Sequence, residues 1–138
     1  MGVEEEAVVR EFLAEFEGDQ LDPAQVDRLL SYMAPDAKFH VCAWEPPFVG
    51  HDAIRAELLR EGQGFTDMRI EILGIASADQ RVFTERLDRM TMNAKPVEFH
   101  IAGVFEVDDD GKIAVWRDYF DTKEIEMQAG PRVRAAPE

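Results

Sequence analysis

The chain has 138 residues, enough for one hydrophobic core, and its 46% hydrophobic and 32% charged content is ordinary globular usage rather than that of a disordered chain. A formal charge of −14 excludes the basic footprint that nucleic acid or an anionic lipid surface requires, and no apolar run approaches the roughly 18 residues of a membrane helix. The single cysteine, Cys42, rules out an intrachain disulfide and a multi-cysteine zinc site; His40, His51 and His100 lack metal-ligand spacing, so no metal or other cofactor is expected.

The N-terminal run MGVEEEAVVREFL is acidic and helical in pattern, unlike a signal or transit peptide, so a cytoplasmic location is expected. Over residues 4–16, Ala7, Val8, Phe12, Leu13 and Phe16 fall at helical spacing. GDQLDPAQ breaks that helix, and Asp22 followed by Pro23 predicts the N-cap and first turn of a second one over 23–34. Its apolar stripe would be Val26, Leu29, Leu30 and Met33. Residues 36–44 alternate as a strand, with Phe39, Val41 and Ala43 on one face and Lys38, His40 and Cys42 on the other. The two prolines of EPPFVG predict a loop. A third helix is expected over 51–61, with Ile54, Leu58 and Leu59 inward and Gly62 and Gly64 ending it.

From residue 68 the texture changes. Segments 68–78, 80–92, 97–107 and 112–120 are rich in β-branched and aromatic residues and are separated by Ala-Asp-Gln, Asn-Ala-Lys-Pro and Asp-Asp-Asp-Gly, which predicts an antiparallel meander. A short helix over 122–128 and a flexible tail over 129–138 would complete the chain. Helices first and strands afterwards define an α+β class, and the absence of a repeat or a composition break predicts a single domain over 1–128.

Chemistry concentrates on two strands. In IAVWRDYF (113–120), Ala114, Trp116, Asp118 and Phe120 share a face, so Asp118 lies between two large aromatics, where an unpaired carboxylate is costly. In TERLDRMTM (84–92), alternation puts Thr84, Arg86, Asp88, Met90 and Met92 on one face. Arg86 and Asp88 then project in parallel from Cα atoms about 6.5–7 Å apart. Two carboxylates close together push one to keep its proton and serve as donor while the other stays ionised as base. An arginine between them cannot lose its proton and can reach both. The same spacing also suits a buried ion-pair network that merely links strands. Met90, Phe99, Ile101 and Trp116 line a pocket if these faces are assigned correctly, and are core in either case. His40 and His100 alternate away from it, His51 reads as a helix-start residue, and Cys42 lacks the signature of a nucleophile.

The runs TERLD (84–88), GVFEV (103–107), GKI (111–113) and WRDYFD (116–121), with GHDAI (50–54) and SYMAPDA (31–37), resemble the limonene-1,2-epoxide hydrolase family over about residues 23–128. The resemblance implies a nuclear-transport-factor-2-like cone, its N-terminal helices packed on a curved, mostly antiparallel sheet around an apolar pocket, commonly as a homodimer. It also implies one-step opening of an epoxide by water on a small apolar substrate. Asp118 would deprotonate the water, Asp88 would protonate the epoxide oxygen, and Arg86 would bridge them. The family's first strand carries Tyr-x-Asn to hold the water; here the matching positions are Phe39-His40-Val41, whose Phe and Val side chains cannot hydrogen-bond. That departure keeps two other readings open, an isomerase or cyclase of the same fold and a non-catalytic ligand-binding domain.

Overall fold

Helix α1 (Gly2–Ala14) opens the computed structural model, which describes residues 2–130. The helix begins and ends two residues before the expected span. Val9, Phe12 and Leu13 are its buried residues, with Phe16 just beyond it, whereas Ala7 is exposed. The working stripe is therefore 9-12-13-16, a clean i, i+3, i+4, i+7 set.

Helix α2 (Pro23–Leu30) starts as the sequence predicts: Asp22 accepts a 2.8 Å hydrogen bond from the Gln25 amide, and Pro23 occupies the first turn. It stops four residues short of the expected end. Pro35 disfavours helix in the residue before it and has no N–H to donate, so the chain is already extended by Met33. Met33 is buried, as expected, but in strand β1 (Met33–His40). That strand precedes the expected 36–44 span and bulges between Met33 and Lys38, around the proline. Because it ends at His40, alternation does not carry on to Cys42, which is buried rather than outward.

The EPPFVG segment is not wholly loop. Phe48–Val49 forms β2, a two-residue edge strand paired to Lys38 and Phe39, which follows both prolines and so needs nothing from their missing donors. Helix α3 (His51–Gly62) leads into β3 (Thr66–Ala78), β4 (Arg81–Met92), β5 (Lys95–Val107) and β6 (Ile113–Tyr119), and α4 (Thr122–Ala129) follows. Asp121 caps α4 by accepting from the Lys123 amide. Ala129, assigned by sequence to a flexible tail, is instead buried at the end of α4; residues 131–138 lie outside the described residues.

The sheet runs β2-β1-β6-β5-β4-β3. The last four strands form the expected antiparallel meander, whose two-residue turns hold Asp79-Gln80 and Asn93-Ala94 at positive φ, the geometry that matches strand twist. β1 joins the meander parallel to β6, setting Phe39 opposite Trp116. The architecture is α+β, four helices with an open, curved six-stranded sheet. α1 packs on β3 and β4, α3 on β1, and α4 on β5. No helix among the described residues is long and apolar enough to cross a membrane.

Candidate active site

The inward faces of β4, β5 and β6 meet one cavity of about 770 Å³. Arg86, Asp88, Asp118, Phe39, Val41, Met90, Phe99, Ile101 and Trp116, the nine residues singled out from sequence, all line it. Period-2 alternation is the reason. β4 turns Arg86, Asp88 and Met90 inward, and β6 turns Trp116 and Asp118 inward, while Leu87, Arg89 and Arg117 on the opposite parity stay partly or fully exposed.

Arg86 is the centre. Its Nε and Nη2 donate to Asp88 Oδ1 and Oδ2 at 3.3 and 3.2 Å, a two-pronged contact within one strand. Its Nη1 donates to Asp118 Oδ1 at 3.4 Å, two strands away. The indole Nε1 of Trp116 donates to that same oxygen at 3.1 Å. Both donors fall on Oδ1, and Oδ2 takes no hydrogen bond from the described residues. Relative exposures of 2% for Arg86, 4% for Asp88 and 7% for Asp118 put the group in a low-dielectric setting.

Burial dominates the electrostatics of Asp118 and pushes its carboxyl above the usual carboxylate range; Arg86 pulls it back, Asp88 pushes it up, and the Trp116 and Arg86 hydrogen bonds pull it down. Burial also works against the charge on Arg86, but Asp118 and Asp88 outweigh it and hold the guanidinium protonated above its ordinary value. A permanently charged donor thus clamps two carboxylates, one of them with its basicity raised. That arrangement can deliver a proton from one side and take one from the other.

Beside Trp116 the wall is hydrocarbon. Phe39 stacks on Trp116 with ring centroids 3.8 Å apart and planes at 15°, and Val41 lies beside it on the cavity. His40 does not turn inward: its Nδ1 donates to the Glu45 carbonyl at 2.9 Å, which holds it off the cavity. His100 pairs with Glu124 outside, and His51 Nε2 lies 3.1 Å from the Met33 carbonyl at the start of α3.

Other lining residues escaped the sequence reading. Phe16 reaches the cavity from the turn after α1, Met68 from β3, and Phe65 from the segment before β3. Phe16 carried a signal in its place on the α1 stripe; Phe65, outside any periodic segment, carried none. Gly103 and Thr84 also bear on the site, because the row Thr84–Gly103–Asp118 runs straight across β4, β5 and β6.

A sheet of this topology around a cavity is that of the nuclear-transport-factor-2-like proteins. An NTF2-like protein of unknown function from Burkholderia pseudomallei superposes with a TM-score of 0.76 over 93% of this chain and 98% of that one at 18% identity, a likeness of fold. The chain belongs to the limonene-1,2-epoxide hydrolase family, whose catalytic-domain model matches residues 3–132. Among its relatives, the epoxide hydrolase EphG of Mycobacterium tuberculosis is 42% identical over an alignment of 82 residues, the match covering 56% of this chain and 54% of that protein. The match thus spans about half of that relative's length. An LEH-like epoxide hydrolase of M. tuberculosis, known as a solved structure, is 26% identical with a TM-score of 0.74, covering 93% of this chain and 90% of that one.

Proposed function

We propose that the chain hydrolyses an epoxide on a small apolar substrate to a vicinal diol, in one step. Asp118 Oδ2 takes a proton from water, the water oxygen bonds to an epoxide carbon as the C–O bond breaks, and Asp88 hands a proton to the departing oxygen. Arg86 holds the two carboxylates apart in role. The observation that carries this reading is the clamp of Asp88 and Asp118 on one buried arginine at the wall of an apolar cavity. Family membership and the epoxide-hydrolase relatives support it. Phe39, Val41, Met90, Phe99, Ile101 and Trp116 would grip the substrate by area alone.

One observation favours a second reading. Phe39 and Val41 give no polar side-chain atom to hold a water, and this suits an isomerase or cyclase that moves protons without adding water, or a domain that only binds. Incubation with terpene and aryl epoxides in ¹⁸O-water decides. Hydrolysis places the label in the diol; isomerisation or internal cyclisation gives unlabelled product; saturable binding without turnover leaves a binding domain.

We also propose that the protein works as a homodimer in the cytoplasm. Phe83 and Tyr119, 42% and 48% exposed, stand on the face of the sheet opposite the cavity and supply apolar area for a second copy. Light scattering on the wild type and on Phe83→Glu tests this, with a monomeric wild type counting against it.

A further inference from the structure

Arg86 and Asp118 do not lie on neighbouring strands. β5 runs between β4 and β6, and in its register Thr84 pairs with Gly103 and Gly103 with Asp118. Along β5 the buried positions are Val97, Phe99, Ile101, Gly103, Phe105 and Val107. All are large or branched except one. A Cβ built on Gly103 would lie 2.6 Å from Arg86 Nη1, 3.0 Å from Thr84 Oγ1 and 3.1 Å from Asp118 Oδ1. The first distance is a collision, and the guanidinium it meets is pinned by two carboxylates rather than free to swing. Gly103 is not among the glycines at positive φ, so what is required there is space and not an unusual backbone.

We propose that Gly103 is a positioning residue: its missing side chain opens a passage across β5, and only through that passage does Arg86 reach Asp118. This rests on the clamp being the working part of the epoxide-opening site. One added methyl parts Nη1 from Oδ1. Arg86 stays forked on Asp88, its neighbour on the same strand, and Asp118 keeps Trp116 as its single donor. The charged groups facing Asp118 are Arg86 and Asp88 from β4; β1 presents Phe39, and the turn after α1 presents Phe16, around Trp116. With Arg86 pushed back, Asp118 loses that hydrogen bond and part of the attraction that offsets burial, and it holds its proton to higher pH.

The test is Gly103→Ala in the full chain, followed by the same change in an Arg86→Ala background. With an epoxide that the wild type turns over, kcat should fall about 100-fold, the cost of a small misplacement of a reacting group, and the acid limb of kcat should move to higher pH. Thermal midpoints need no substrate. Gly103→Ala should lower Tm more in the wild type than in Arg86→Ala, where the guanidinium is gone and only the contacts with Thr84 and Asp118 remain. Wild-type kcat with an unmoved acid limb, or an equal loss of Tm in both backgrounds, would overturn the proposal. Should Gly103→Ala not fold, a double variant nearly as stable as Arg86→Ala supports the passage, and one that is unfolded where Arg86→Ala is folded refutes it. If the wild type opens no epoxide, the hydrolase reading fails, and the Tm comparison still decides the role of Gly103.

Discussion

Trp116 binds Asp118 with its edge and Phe39 with its face: Nε1 is 3.1 Å from Asp118 Oδ1, while the ring stacks on Phe39 at 3.8 Å. The side chain of β1 that lies against the site therefore holds the tryptophan, and the tryptophan holds the carboxylate. Trp116→Phe keeps most of the stacking and deletes the donor. We expect kcat/KM to fall about 10-fold, the worth of one hydrogen bond to a charged group. The acid limb should rise, because that bond favours the ionised form. An unchanged pH–rate profile would show that the indole N–H has no part in setting Asp118.

Asp88→Asn and Asp118→Asn remove one acid–base group each with little change of shape. Turnover should fall by about 1000-fold or more in each, with circular dichroism unchanged. Single-turnover assays on the purified variants measure this, and two variants of near-normal rate would leave the clamp as scaffold.

Arg86→Lys keeps the charge but loses the fork, since an ammonium cannot span both carboxylates in the same geometry. Activity should fall steeply with the fold retained. Arg86→Ala leaves two buried carboxylates uncompensated and should destabilise the protein by about 3–5 kcal/mol at neutral pH, read by urea denaturation.

The pH dependence has a definite sign. Burial raises the carboxyl of folded Asp118, so the folded chain binds that proton more tightly than the unfolded one. Its contribution to stability is full below the ordinary carboxylate pKa and is lost as pH rises through the raised value. With Asp118 as the base, as proposed, activity should run the other way, rising through the same window as the carboxyl ionises. Tm against pH for wild type and Asp118→Asn should diverge there. Parallel curves would show that the group titrates as it does in the unfolded chain.

Phe39→Tyr and Val41→Asn put polar atoms on the hydrocarbon wall beside Asp118. If water is poorly held in the wild type, the pair should raise kcat for hydrolysis about 10-fold, at about 1–2 kcal/mol of stability for burying polar groups. A fall in hydrolysis would mean that the apolar wall is what the reaction needs.

The site was more legible than its surroundings. Arg86, Asp88 and Asp118 could be placed together because a meander of alternating strands leaves little freedom: once the faces are known, the neighbours follow. The end of α2 was harder, since Met33 completes an apolar stripe and only Pro35, two residues on, stops the helix. Val9 was passed over for Ala7 because the two differ by a small rotation of α1, which packing against β3 and β4 decides. Cys42 lay past the true end of its strand. Gly103 left a trace, a glycine among large inward residues, but its meaning depends on Arg86 leaning across β5, and that diagonal is not written in any local pattern.

The parallel pairing of β1 with β6 has a bearing on how the protein comes to be made. Phe39 is synthesised early and Trp116 and Asp118 late, so the stacked wall and the carboxylate it steadies cannot come together until nearly the whole described chain has left the ribosome. A non-local parallel contact of this kind is slow to close, and it forms without the help of a tight turn. Nascent chains that stop before β6 would carry Arg86 and Asp88 without Asp118, their counterpart in the clamp. Ligand binding in the cavity would then report the last joining step of folding.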